Sequence, residues 1–148
     1  MQPIFIACDH NGIELKKYLT EKITKLGYII IPTWENTDKQ DDYPDVASSL
    51  AENMQKNPDS FGIAICGSGQ GICMAMNRFS WIRAVKVNNT LEAKKTREHN
   101  HTNCLCFGSD LTFEIVLEII IEFLNTKIDL ADRHQRRVKK LSRIIQPI

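Results

Sequence analysis

The segment CGSGQG at 66–71 carries the strongest chemical signal in this chain. Glycines let the backbone turn sharply and leave amide N–H groups free. Such groups, together with the start of the following helix, make a site for negative charge. Two familiar motifs do not fit. A dinucleotide fingerprint needs glycines at 67, 69 and 72, but residue 72 is Ile. The acidic residue due about 20 positions later is also missing, since Val87-Asn88-Asn89 stands there. A P-loop needs Gly-Lys-Ser/Thr, which this segment lacks. NAD and ATP are therefore disfavoured. What remains is an oxyanion-stabilising loop with a thiol, Cys66, at its lip. Free cysteine is commonly a buried small residue, and that is how Cys8, Cys73, Cys104 and Cys106 read. A thiol beside a helix N-terminus is instead favoured as thiolate and can act as base or nucleophile.

The histidines offer a second kind of chemistry. His99, His101, Cys104 and Cys106 form H-x-H-x-x-C-x-C, which admits a zinc reading. The spacing is not a standard one, and two cysteines at i and i+2 of a buried strand suit packing better. His99 suits a general acid/base, because an unperturbed imidazole transfers protons near neutral pH. His101 reads as an exposed helix-end histidine. Further on, Arg133 and Arg137 are one helical turn apart, and paired arginines at that spacing can chelate a phosphate. Leu130, His134, Val138, Leu141 and Ile145 form an apolar stripe on the same helix, so His134 should pack on the body or on a partner chain.

These groups need elements to position them, and the chain alternates strand-like and helix-like segments. Strands are expected at 3–8, 28–31, 61–66, 82–87 and 104–107. Helices are expected from about Leu15 to Leu26, after Pro44, from Ile72, over 89–99, over 111–125 and over 129–145. The 33–43 stretch, TWENTDKQDDY, reads as an exposed polar loop. In 111–125 Glu114, Glu118 and Glu122 form one narrow polar stripe and almost everything else is Ile, Leu, Val or Phe, so that helix should be buried in the core or in a subunit interface. The pattern predicts an α/β fold: a Rossmann-like three-layer sandwich with a five-stranded parallel sheet and an extra C-terminal helix. Ligands bind such sheets at the carboxyl ends of the strands. Asp9-His10, Cys66–Gly71 and Ser109-Asp110 all fall there; His99-Asn100, at a helix end, is less firmly placed.

Length and composition agree with one globular domain spanning 1–148. The chain is 43% hydrophobic and 25% charged, which excludes disordered and collagen-like classes. No apolar run approaches the roughly 18 residues of a membrane helix. MQPIFIACDH does not resemble a secretory signal. Five irregularly spaced cysteines then suggest reduced thiols in a cytoplasmic protein. Net charge is +1, against bulk nucleic-acid binding, but the charge is uneven: −4 over residues 1–126 and +5 over 127–148. The basic tail is either a solvated helix or an anion-binding element.

CDHNG (8–12), DYPDVA (42–47), ICGSGQGICMAMN (65–77), IRAV (82–85), REHN (97–100), NCLCFGSD (103–110) and RHQRRV (133–138) together resemble ribose-5-phosphate isomerase B. The wider family includes galactose-6-phosphate and allose-6-phosphate isomerases. The resemblance runs in order through nearly the whole chain. It implies interconversion of ribose 5-phosphate and ribulose 5-phosphate without metal or organic cofactor, in a homo-oligomer (dimer or tetramer) with sites between subunits. It matches Cys66 to the base that moves a proton between C1 and C2. Ile72 stands where another branch of the family carries a carboxylate. Gly67, Ser68, Gly69, Gln70 and Gly71 match the loop that holds the enediolate. His99 matches the ring-opening acid, assisted by the Ser68 hydroxyl. Asp9, His10 and Asn100 match substrate-binding positions, and Arg133 and Arg137 match phosphate ligands. Asp110 departs from the pattern, since many relatives carry Arg after FGS. The alternatives are isomerisation of a six-carbon sugar phosphate, a non-catalytic sugar-phosphate-binding subunit, and a metal-binding module.

Overall fold

The computed structural model describes residues 1–37 and 40–144. Its elements run β1 (Ile4–Cys8), α1 (Ile13–Lys25), β2 (Ile30–Pro32), α2 (Tyr43–Lys56), β3 (Phe61–Ile65), α3 (Gln70–Met76), β4 (Ala84–Lys86), α4 (Thr90–Asn100), β5 (Cys104–Phe107), α5 (Phe113–Asn125) and α6 (Asp132–Leu141). The strands form one parallel sheet in the order β2-β1-β3-β5-β4. The expected α/β architecture is therefore present.

Side-chain alternation along the strands separates two apolar layers. Ile4, Ile6, Cys8, Ile63, Ile65, Leu105 and Phe107 meet α1, α4 and α5 on one face. Phe5, Ala7, Ala64, Cys66, Cys104 and Cys106 meet α2 and α3 on the other. Strands covered on both sides are apolar throughout, as β1 and β3 are, each buried at every residue. The direction of winding reverses between β1 and β3, and a crevice at such a switch point is where α/β sheets bind ligands. Asp9-His10 and the glycine loop leave the sheet there, on adjacent strands.

Several expectations need correction. The last helix begins at Asp132, not 129, and Leu130 precedes it and is exposed. Ile145 lies outside the described residues. The 33–43 loop is not simply exposed. The Trp34 indole N–H donates to Asp41 Oδ1 at 3.1 Å, and Asn36 Nδ2 donates to the Cys8 carbonyl and to Asp41 Oδ2, both at 2.8 Å. These bonds hold Trp34, Asn36 and Asp41 together beside the end of β1. His101 is buried, caps α4 in a left-handed conformation (φ 49°), and places Nε2 2.9 Å from the Asp129 carbonyl. Helix α5 buries Val116, Ile119, Ile120 and Phe123 while Phe113 and Ile115 stay exposed. No helix among the described residues is long and apolar enough to cross a membrane.

Candidate active site

At the end of β1 the chain turns on its own side chain. Asp9, only 4% exposed, accepts from the Asn11 amide at 2.9 Å, and the Gly12 amide donates to the Asp9 carbonyl. An aspartate side chain turning back on its own backbone is a compact way to leave a strand. His10 follows, with Nε2 3.3 Å from Asn11 Nδ2 and a buried Nδ1 without a protein partner. On the neighbouring strand Cys66 is 4% exposed, and its sulfur accepts a hydrogen bond from the Gly69 amide at 3.2 Å. Cys66 is thus both a core residue and a member of the loop. The Gly69 N–H points at the sulfur, so thiol and loop are held in one geometry.

The loop holds this geometry because Gly69 takes φ +76°, a conformation open to glycine. The Ser68 hydroxyl accepts from the Gln70 amide at 3.2 Å, and both side chains reach solvent. Ser109 anchors the loop from β5, donating to the Gly67 carbonyl through both N–H and Oγ at 3.0 Å. Tyr43 closes the far side: a Cβ on Gly71 would lie 2.6 Å from its ring, so the glycine is required for the ring to rest there. Tyr43 and the Asn36–Asp41 network were not legible as site elements, because an aromatic and amides in a polar stretch carry no spacing signal.

His99 and Asn100 are elsewhere. They end α4, and the chain needs only His101, Thr102 and Asn103 to enter β5 at its amino end. Cys66 follows β3 at the opposite edge of the same parallel sheet. The four residues of β5 alone span roughly 13 Å at about 3.3 Å per residue. His99-Asn100, less firmly placed by the sequence, thus lie at the amino edge: α4 runs antiparallel to the strands, so its C-terminus returns to that edge. Helix α6 packs against this end of α4. His134, 7% exposed, lays its ring on that of His99 with centroids 4.5 Å apart. Arg133 and Arg137 are exposed on α6, whereas Arg136 lines a separate basic surface with Lys140 and Arg143. The candidate residues of one chain thus fall into two groups, Asp9, His10 and 66–71 at one sheet edge, and His99, Asn100 and the α6 arginines at the other; each group would be half of a site.

The H-x-H-x-x-C-x-C set does not converge. Cys104 and Cys106 point into the layer under α2 and α3, while α4 covers the opposite face of the sheet. A different trio, His99, Asp129 and His134, brings one ligand atom each within 4.8 Å of one another. The two imidazole planes are nearly parallel, 8° apart. A metal ion lies in the plane of each imidazole that binds it, so a stacked pair does not chelate one ion.

Cys8, Cys73 and Cys106 are held protonated. Burial pushes Cys8 up to about 11. Hydrogen bonding to Cys106, then burial, raises Cys73; hydrogen bonding to Cys104 and burial raise Cys106.

The family model described as Ribose/Galactose Isomerase matches residues 4–141. A probable ribose-5-phosphate isomerase B of Mycoplasma pneumoniae is 41% identical over 143 residues, covering 94% of this chain and 92% of the relative. The ribose-5-phosphate isomerase B of Escherichia coli is 35% identical, covering 99% and 98%. Among solved structures, the Mycoplasma genitalium ribose-5-phosphate isomerase B with bound ribulose-5-phosphate superposes with a TM-score of 0.89 at 38% identity, covering 95% and 94%. With its sheet order, its thiol-bearing glycine loop and nearly its whole length accounted for in this way, the chain belongs to the ribose/galactose isomerase family.

Proposed function

We propose that this protein is an aldose–ketose isomerase that interconverts ribose 5-phosphate and ribulose 5-phosphate through an enediolate. The observation that carries the mechanism is the 3.2 Å bond from the Gly69 amide to the Cys66 sulfur, at a switch-point crevice beside Asp9 and His10. The substrate rests on the relatives, one of which holds ribulose-5-phosphate.

In the open-chain aldose the Cys66 thiolate removes the proton on C2. The electron pair moves into a C1–C2 double bond, and negative charge develops on O1. The Gly69 and Gln70 amides are bonded to Cys66 and Ser68, so the remaining amides of the 67–71 loop are the ones offered to that charge, and preorganised donors of this kind stabilise it without reorganisation. The proton returns to C1 and the O2 hydroxyl proton passes to O1, giving the ketose. No electrons leave the sugar, so the balance calls for no external oxidant or reductant. Before this step the furanose must open, which needs a proton on the ring oxygen and removal of one from the anomeric hydroxyl. His99, assisted by Ser68, takes that role; Asn100, Asp9, His10 and Gln70 hold the sugar, and Arg133 and Arg137 hold the phosphate.

The two half-sites of one chain are at opposite sheet edges, so the complete site forms between two copies, the glycine loop of one meeting His99 of the other. A groove of about 920 Å³ beside Asn100, lined in part by Arg78, Trp81, Arg83, Leu141 and Ile144, suits a second copy. Twofold pairing makes two such sites per dimer. The five unpaired cysteines fit a cytoplasmic location.

A coupled assay on ribose 5-phosphate, allose 6-phosphate and galactose 6-phosphate, with and without chelator, tests the reading. Ribose 5-phosphate should give the highest kcat/KM, unaffected by chelator. Preference for a hexose phosphate overturns the substrate, no turnover on any of them overturns the reaction class, and activity lost to chelator overturns the cofactor-free mechanism.

A further inference from the structure

Lys86 ends the edge strand β4, a place where lysine is ordinarily solvated. Here its side chain is only 13% exposed. Its stem lies across the glycine loop: a Cβ on Gly69 would sit 3.0 Å from Lys86 Cε. Beyond that contact Nζ donates to Asp110 Oδ2 at 3.0 Å and to Asn88 Oδ1 at 3.1 Å. The ammonium holds the Asp110 carboxyl below the usual carboxylate range. Gly69 is also the residue whose amide donates to the Cys66 sulfur. The path from Nζ through Cε and Gly69 to Sγ keeps the ammonium within about 11 Å of the sulfur. Nothing in the isomerisation chemistry above uses this pair.

We propose that Lys86 and Asp110 form a charge pair behind the glycine loop that sets the reactivity of Cys66. Lys86 is a positioning residue. Its stem braces the Gly69 turn that aims the amide at the sulfur, and its positive charge favours both the thiolate and the enediolate that forms beside the loop. Asp110 moderates that field and keeps Nζ in place. The inference rests on Cys66 being the base.

The test uses the full-length protein and two readouts. One is the rate of iodoacetamide labelling at Cys66, followed by peptide mass at one fixed neutral pH. The other is the separation of kcat from KM for ribose 5-phosphate. Lys86→Met keeps the stem and removes the charge. It should slow labelling about three- to eightfold, the effect of a unit charge about 11 Å away at an effective dielectric of roughly 25 to 50. It should also lower kcat with little change in KM, because the enediolate charge exists only beyond the ground state. Lys86→Arg should restore most of both. Asp110→Asn, at a half-exposed position, should speed labelling by a similar factor. Opposite shifts from the two neutralisations are what a purely structural contact would not produce. Shifts in the same direction, or none, overturn the proposal. So does a loss confined to KM with weaker inhibition by inorganic phosphate, which would make Lys86 a phosphate contact. Should Lys86→Met fail to fold, Asp110→Asn decides alone. Labelling does not require turnover, so an active Cys66→Ala enzyme would refute the base assignment and leave this measurement separate.

Discussion

The imidazoles of His99 and His134 lie face to face, 4.5 Å between centroids and 8° between planes. The stack joins the end of α4 to α6, so the candidate ring-opening acid and the arginine-bearing helix are held as one unit. Asp129 ties the following loop to the joint through its backbone N–H on the Glu98 carbonyl, and its Oδ2 lies 3.5 Å from His134 Nε2.

Acid should loosen this joint. Desolvation, then the charges of Arg133 and His99, lower the His134 pKa in the folded chain. In the unfolded chain His134 titrates near 6.5. A depressed histidine contributes nothing above that value, where it is neutral in both states. As pH falls through about 6.5 the unfolded state takes up the proton first, and stability drops until His134 also protonates in the fold. The thermal unfolding temperature of wild type should therefore begin to fall as pH drops through about 6.5, and His134→Phe, which keeps a ring in the stack, should flatten the fall. Parallel curves for the two proteins would remove His134 as the cause.

Cys66→Ala should lower kcat by about 10²–10⁴-fold, the usual contribution of a positioned base, with sugar-phosphate binding largely kept. Iodoacetamide should inactivate the wild type, and substrate should protect it. Cys8, Cys73 and Cys106 are held as thiols and should label slowly. Inactivation that tracks any of those three instead would reassign the reactive sulfur.

The first half-site was legible because both its parts are local. CGSGQG announces a turn with free amides, and β1 and β3 are apolar runs whose ends fix where Asp9 and Cys66 emerge. The arginine pair was legible by helical spacing. The distance between Cys66 and His99 was not, because it depends on which way α4 runs along the sheet, a tertiary matter. His101 was misread as exposed for the same reason. Its burial comes from the Asp129 carbonyl, 28 residues away. Lys86 and Asp110 carry no pattern in sequence, since 24 residues separate them and only the β4–β5 pairing brings them together.

Two inactive variants should rescue each other if the site is shared between copies. A Cys66→Ala chain keeps His99, and a His99→Asn chain keeps Cys66. In a mixed dimer one site receives both intact groups and the other neither. Random pairing after dissociation and reassociation makes half the dimers mixed, so the mixture should recover about one quarter of wild-type activity. No recovery from a mixture shown to exchange subunits would place both groups in the same chain's site. The ring-opening role has its own check. His99→Asn should slow ribose 5-phosphate much more than an analogue that cannot cyclise, and equal slowing would exclude that role.

Arg133 and Arg137 should anchor the substrate phosphate. They project from α6 next to His134, which stacks on His99, so they travel with the second half-site. Arg136 lies between them in sequence but lines a different surface, with Lys139, Lys140 and Arg143. The phosphate keeps its charge throughout the reaction, so a uniform contact would raise KM and spare kcat. Binding energy at the phosphate also holds the sugar over Cys66, so part of the loss should appear in kcat. Removing one charge-assisted contact should cost about 1.5–3 kcal/mol, or roughly ten- to a hundredfold in kcat/KM. Lysine should restore only part of it, because a point charge lacks the planar fork that grips two phosphate oxygens. A solvated basic face makes the opposite forecast, since surface charges of that kind change stability and affinity little. Arg136→Ala measures that background directly, being equally basic on the same helix. If Arg133→Ala and Arg137→Ala bind ribose 5-phosphate as tightly as Arg136→Ala does, α6 is a solvated helix and the phosphate is held elsewhere.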